Sequence, residues 1–309
     1  MPKISVVMST YNRSAFLPQS IESLLSQTFK DFEFVLVNNG SVDNSAEICK
    51  HYSDLDNRIK LIDLKVNYGA SNGRNVGLSN VTGDYITFVD DDDYCYPEML
   101  QFLWDLLEGH NADISMCGSW NKIDGRLEPY FIFDDLLILN KVEGLDELLK
   151  RQKYNVAPPT KLFRRELFDD IRFKQDVMVD DIHVIYKVFA NAEIVVAQGR
   201  PLYNFTKHNG NMTSFIQTNV ISPDLLNEYL LAFRERTEYL TSRVPDIAMR
   251  VKYSELSFMI SMCNKIPQSL EYQALYDKMI KEIMGNYQWL DSSPYITDIE
   301  REFVRSLFS

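Results

Sequence analysis

The chain has 309 residues, a mass of 36.0 kDa, and 44 acidic against 32 basic side chains, a formal net charge of −12. With 45% hydrophobic and 25% charged residues, its composition is that of an ordinary globular protein long enough to bury a full core. The acid excess excludes sequence-independent nucleic-acid binding, which needs a dense basic surface, and docking on anionic lipid through global charge alone. No stretch approaches the ~18 apolar residues needed to span a bilayer, and Met1 to Val6 lacks the apolar run of a secretory leader. Cys49, Cys95, Cys117 and Cys263 are far apart and form no C-x-x-C pair, so neither a zinc site nor a disulfide framework is expected. Reduced thiols point to a cytoplasmic protein.

Strand and helix signals alternate over the first ninety residues. Lys3 to Met8 is a β-branched run, and Ser14 to Gln27 reads as a helix with Phe16, Ile21, Leu24 and Leu25 for one face. Phe32 to Val37 is a second strand, followed by a helix through His51 that Asp43 or Asn44 can cap. Ile59 to Leu64 is a third strand, Tyr68 to Asn80 a loop opening into a short helix, and Tyr85 to Val89 a fourth strand. Strands separated by helices imply right-handed crossovers and a mostly parallel sheet. In such sheets ligands bind beyond the carboxyl ends of the strands.

The segments that follow the strands are polar. They are Ser9-Thr10-Tyr11-Asn12-Arg13, Asn38-Asn39-Gly40-Ser41, the stretch from Gly69 to Arg74, and Asp90-Asp91-Asp92-Asp93. Together they offer an aromatic face, amides, a guanidinium and oxygen ligands, an inventory that suits a base, a ribose and a metal-bound diphosphate. The acidic run has two readings. It is a solvated turn whose Asp93 caps the helix from Pro97, or it holds a hard divalent cation that offsets the mutual repulsion of its carboxylates. Tyr11 alone is equally a core tyrosine at a strand end, and Arg74 alone a surface arginine paired with an acid.

Six pieces in order make a single pattern: Ile4 to Asn12, Leu24 to Phe29, Asn38 to Asp43, Gly73-Arg74-Asn75-Val76-Gly77-Leu78, Gly83 to Asp93, and Val179-Asp180-Asp181. On these residues the first ~215 positions resemble the inverting family 2 glycosyltransferases of bacterial cell-surface polysaccharide synthesis. The resemblance implies an α/β, Rossmann-like nucleotide-diphospho-sugar transferase fold of the A type, a mostly parallel sheet flanked by helices. It also implies a hexosyl- or N-acetylhexosaminyl-transferase that uses Mn²⁺ or Mg²⁺, a nucleotide-sugar donor of UDP type, and a cell-surface glycan or lipid-linked acceptor.

Site roles follow from the same resemblance. Thr10, Tyr11 and Arg13 fall in the nucleotide-holding segment, with Tyr11 near the base. Asn39 stands where the family usually has an Asp that accepts from uracil, and here both acidic positions of that motif are Asn38 and Asn39. An Asn oxygen still accepts one bond. Arg74 corresponds to the family arginine at the nucleotide. Asp90 and Asp92 match the outer positions of D-x-D, with Asp91 toward the ribose and Asp92 as the direct metal ligand. Asp181 matches the catalytic base, with Asp180 in place of the usual Glu; without the resemblance, either acid reads as a cap for the helix from Ile182. Lys207 to Ser214 resembles a loop that closes over the diphosphate, in which His208 reaches phosphate or metal. Ala112 to Ser119 reads as a strand ending in small residues beside the site.

From Pro223 the pattern turns helical, with Leu225, Leu226, Tyr229, Leu230 and Phe233 at i, i+3, i+4 spacing. This predicts a catalytic domain over 1–220 and a helical C-terminal domain over 221–309. The latter packs on the first, forms an oligomer interface, or offers an acceptor or peripheral membrane surface at the inner face of the cell membrane. A non-catalytic nucleotide- or glycan-binding module of the same fold is the second functional class, favoured by the Asn pair.

Overall fold

The computed structural model describes residues 1–208 and 221–308. The chain divides into two compact units, Met1–Asn209 and Gly210–Ser309.

The first unit is built on one sheet. Strands β1 (Ile4–Thr10), β2 (Phe32–Asn39), β3 (Ile59–Leu64) and β4 (Tyr85–Phe88) are joined by helices α1 (Leu17–Leu25), α2 (Ser45–Leu55) and α3 (Ala70–Leu78). Their pairing is parallel, with β1 between β2 and β4 and β3 outside β2. The cause is the apolar runs, fully buried on both faces, which only helix-covered parallel strands accommodate. Helix α1 is shorter than the expected 14–27. Pro18 fits its first turn, and Gln27, past its end, turns its amide to accept from the Leu100 amide and donate to the Tyr96 carbonyl.

Beyond β4 the sheet becomes mixed. The remaining strands are β5 (Tyr94–Cys95), β6 (Ile114–Ile123), β7 (Arg126–Tyr130), β8 (Leu137–Asn140), β9 (Lys161–Arg164) and β10 (Ile194–Lys207), with helices α4 (Met99–Gly109), α5 (Lys141–Lys150) and α6 (Ile185–Asn191). The order across the sheet is β3-β2-β1-β4-β9-β6-β10-β5, with β7 on β6 and β8 on β10. Strand β9 runs antiparallel to both β4 and β6, and β10 runs parallel to β6. The expected strand over 112–119 is the start of β6, whose Gly118 packs against Gly199 so closely that a Cβ would meet its carbonyl at 2.4 Å.

The second unit contains α7 (Pro223–Arg243), α8 (Ala248–Cys263), α9 (Leu270–Gly285), α10 (Tyr287–Asp291) and α11 (Asp298–Ser306). Leu226, Leu230 and Phe233 of α7 pack inward with Leu256 and Ile260 of α8, as the spacing predicts. Two buried or capping acids tie helices together: Glu255 pairs with Arg234 at 2.6 Å, and Glu300 accepts from Tyr253 and Ser257. Among the described residues no helix is long and apolar enough to cross a membrane.

Candidate active site

The loops after β1 and β2 are fastened to each other by hydrogen bonds, most of them between neutral groups. The amides of Asn12, Arg13 and Ser14 donate to Ser41 Oγ, Ser45 Oγ and Asp43 Oδ2, and Asn12 Oδ1 accepts from the Val42 amide. Asn12 takes a left-handed φ of 53°, which an Asn tolerates. Asp43 both stitches this junction and, through Oδ1, accepts from the Ser45 amide at the start of α2. Thr10 is buried at the strand end, while Tyr11 keeps 39% of its surface exposed at the rim.

Asn39 is 1% exposed, and its amide is engaged inside the protein. It donates to Asn67 Oδ1 and the Gly69 carbonyl and accepts from the Tyr68 amide. Asn38 likewise donates to Asp63 Oδ1 at 2.7 Å and accepts from Ser41. The Asn pair therefore shapes the 67–69 turn and the β2–β3 edge. That turn leads into α3 and borders a cavity of about 410 Å³, whose other wall is 175–177.

Strand β4 delivers the four aspartates, and they divide by environment. Asp93 is 4% exposed and accepts from Tyr203 Oη at 2.8 Å and the Thr206 amide at 2.7 Å. It anchors β10 and caps no helix; α4 begins at Met99 behind Glu98. Asp90, Asp91 and Asp92 face the edge. Burial first, and then the neighbouring Asp92, push the Asp91 carboxyl up to about 7, opposed by Thr10 and Arg13. Asp90 is also raised, by desolvation, while Arg74 pulls it down. Arg13 Nε lies 3.8 Å from both Asp91 and Asp92, and His208 Nε2 lies 2.9 Å from Asp92 Oδ2 with its ring stacked on Phe16. Asn209 to Ser214, the rest of the expected closing loop, lie outside the described residues.

No group of three or more His, Cys, Asp or Glu side chains poised around a metal occurs among the described residues. The donor set nevertheless fits a divalent ion. Crowded carboxylates with raised affinity for a proton have the same reason to take a cation, and Mg²⁺-type sites use one or two protein carboxylates completed by substrate phosphate and water.

Arg74 spans the two acidic groups. Its guanidinium donates to Asp90 Oδ1 at 3.0 Å and to Asp180 Oδ1 at 2.5 Å. It is therefore not a free surface arginine, although each of those nitrogens keeps a second N–H. Asp180 is 3% exposed and serves Arg74, not a helix end; a short 3₁₀ turn, Asp181–His183, precedes α6. Asp181 follows it with its Oδ1 buried and lacking a hydrogen-bond partner among the described residues. Burial and the adjacent Asp180 raise its carboxyl to about 6, against the pull of Arg74. A carboxylate with one oxygen unpartnered and a pKa near neutrality is suited to taking a proton.

One group here was not visible in the sequence. Lys161, 1% exposed on β9, donates to the Ala157 carbonyl at 2.6 Å, and burial lowers its ammonium to about 7. In Thr-Lys-Leu-Phe-Arg it reads as an ordinary exposed strand lysine, and only the antiparallel insertion of β9 between β4 and β6 buries it.

The model of Glycosyl transferase family 2 matches residues 5–172. The chain is 31% identical over 219 residues to glycosyltransferase GlyA of Streptococcus pneumoniae, covering 68% of this chain but only 31% of that protein. It is 27% identical over 288 residues to glycosyltransferase GlyG of the same organism, covering 89% of this chain and 91% of that one. Among solved structures, S. aureus TarS 1-349 in complex with UDP-GlcNAc superposes with a TM-score of 0.72 at 24% identity, over 99% of this chain and 83% of TarS 1-349. A Pyrobaculum calidifontis mannosyltransferase in complex with GDP-Man and Mn²⁺ superposes at 0.54 with 13% identity, over 99% of this chain and 86% of that one.

Proposed function

The chain belongs to glycosyl transferase family 2, and on that footing we propose that it transfers a sugar with inversion from a UDP-linked donor to a hydroxyl of a cell-surface glycan or lipid-linked acceptor. The observation that carries the reading is the juxtaposition at one sheet edge of two acidic centres with opposite roles. Asp90 to Asp92 form a crowded carboxylate cluster suited to a cation and a nucleotide, and Asp181, whose Oδ1 lacks a hydrogen-bond partner among the described residues, is joined to it through Asp180 and Arg74. UDP is supported by the UDP-GlcNAc bound in TarS.

In this mechanism Asp181 accepts the proton of the attacking hydroxyl. A single displacement with one base inverts the anomeric carbon and needs no covalent intermediate, unlike a retaining hydrolase with its second carboxylate. Asp92 and His208 would hold Mn²⁺ or Mg²⁺, which supplies charge neutralisation for the departing diphosphate. Arg13, now beside Asp91 and Asp92, is placed to turn to phosphate once a cation takes over those carboxylates. Tyr11 offers its exposed ring to the base. The base edge meets the 67–69 turn that Asn39 braces, in place of a carboxylate. Residues 1–220 form the catalytic domain, and 221–309 a helical C-terminal domain.

The test is nucleotide release from a panel of UDP-, GDP- and dTDP-sugars with Mn²⁺. We expect release from a UDP-sugar by the wild type and its loss in Asp92→Ala. No binding and no release across the panel by folded protein would overturn the reading in favour of a non-catalytic binding module. The Asn38–Asn39 pair favours that second reading, since its amides are committed internally.

A further inference from the structure

We propose that Asn75 is a positioning residue for the general base: through its side-chain amide, α3 clamps the backbone of the segment that carries Asp181. The proposal rests on the transfer reading above and adds a residue to it.

Three tethers join α3 to residues 173–180. Asn75 Nδ2 donates to the Phe173 carbonyl at 2.8 Å, and the Phe173 amide donates to Asn75 Oδ1 at 2.8 Å, so one side chain fixes both backbone polar groups of one residue. Gln175 Nε2 donates to Asn72 Oδ1 at 3.1 Å. Arg74 bonds Asp180, the residue before the base. Asn72 and Asn75 are three apart and share a helix face. The Asn72–Gln175 bridge also separates two clefts, of about 450 and 410 Å³, that otherwise keep the helix and the segment apart.

A clamp is useful only if its own seat is rigid. Gly73 and Gly77, four apart, face β1 so closely that a Cβ would stand 2.0 Å from Ser9 Oγ and 2.4 Å from Val7 Cγ1. The glycine face thus fixes α3 to the sheet while the amide face holds the loop. The clamped Phe173 is buried, its ring edge-on to Phe88 of β4 at 5.4 Å, two residues before Asp90. The base-bearing segment and the aspartate cluster therefore share one mount. Within Gly73-Arg74-Asn75-Val76-Gly77, the glycines allow close approach to the sheet, the arginine holds the paired acids, and the asparagine holds the backbone.

The segment from Phe173 to Asp181 contains no α-helix or strand, and Asp176 within it takes a φ of 57°. Without the clamp no regular element holds the segment on the N-terminal side of the 3₁₀ turn at Asp181–His183, and a general base displaced by about 1 Å forfeits much of its effect.

The experiment compares wild type, Asn75→Asp and Asn75→Ala in the full chain. It measures UDP affinity with Mn²⁺, steady-state nucleotide release from a UDP-sugar, and amide exchange. For Asn75→Ala we expect at least tenfold faster exchange confined to 173–181 and a kcat at least tenfold lower. UDP affinity and donor KM should stay within about threefold. Asn75→Asp keeps the acceptor for the Phe173 amide and should fall between. Equal losses of kcat and UDP affinity, faster exchange across the whole sheet, or an unchanged kcat with a loosened segment would each overturn the proposal. Should Asn75→Ala not fold, Gln175→Ala removes the middle tether and carries the same test at smaller amplitude. A wild type that releases no nucleotide, yet loosens at 173–181 in the variant, sinks the transfer reading and the base role with it, and leaves only a mechanical clamp.

Discussion

The two sides of the sheet edge are held together by different chemistry. On the β1–β2 side the loops are joined mostly by bonds between neutral groups, with Asp43 and Asp63 as the charged acceptors, and Asn12, Asn38, Asn39, Ser41 and Ser45 all have partners. On the β4 side, Asp90, Asp91 and Asp181 are desolvated and each faces a neighbouring aspartate, Asp92 for the first two and Asp180 for the third, with Arg74 and Arg13 as the opposing cations. The first side is complete without a ligand. The second is compressed charge whose relief a cation and a substrate would supply. Stability resides in the first and reactivity in the second, the usual division between a scaffold and a site.

The largest expected effect tests the reactive side. Asp181→Asn keeps the shape and removes the base, so kcat should fall about 10²- to 10⁴-fold with UDP affinity nearly unchanged. In the wild type the base works ionised, and its carboxyl titrates at about 6. Transfer should therefore be near its plateau above pH 7 and fall about tenfold per unit well below 6. A flat profile down to pH 5 would remove Asp181 from the role. Next in size is Arg74→Met, which strands Asp90 and the buried Asp180. Breaking a buried pair costs about 3–5 kcal/mol, measurable as a lower urea midpoint. Adding Asp180→Asn should restore part of that loss, because it removes the uncompensated charge. Strict additivity would show that Arg74 and Asp180 do not act as a pair.

The same comparison explains what could be read from sequence. The parallel half was legible because each strand is an apolar run of its own, closed by a polar segment: Val6-Val7-Met8 before Ser9, Phe34 to Val37 before Asn38. So was the place of Asp90 to Asp93, which follow the run of β4, whereas Asp180 and Asp181 end no strand and were singled out only by the resemblance. The antiparallel insertions were not, because β9 and β5 are four and two residues long and owe their place to long-range pairing. Hence Lys161 drew no notice, and Asp93 looked like a cap although its partners are 110 and 113 residues away. Asn39 was assigned by position to a base, and only the fold reveals that the 67–69 turn occupies its amide.

A smaller effect tests the mount that joins the two sides. Gly77→Ala adds a methyl 2.4 Å from Val7 Cγ1, whose residue is 1% exposed and cannot move aside. Alanine gains about 1 kcal/mol of helix propensity, but overpacking costs about 1–3 kcal/mol. We expect a net loss of up to about 2 kcal/mol in urea denaturation, and a gain would mean that α3 is free to shift outward.

The smallest effect belongs to the neutral side. Asn38→Ala removes the hydrogen bond that, ahead of Lys65, holds the Asp63 carboxyl below its usual range. Bonds to charged groups contribute about 1.5–3 kcal/mol, but the Asp63 side chain is 45% exposed, so about 1 kcal/mol is a fair discount. A depressed carboxylate contributes stability that is fully present above its unfolded pKa, about 3.9, and lost as pH falls through the lower folded value. The deficit of Asn38→Ala relative to wild type should therefore be full at pH 7 and shrink near pH 3. Urea titrations at the two pH values decide it. A deficit that is the same at both would assign the loss to the Ser41 amide and the packing of Asn38, not to its bond with Asp63.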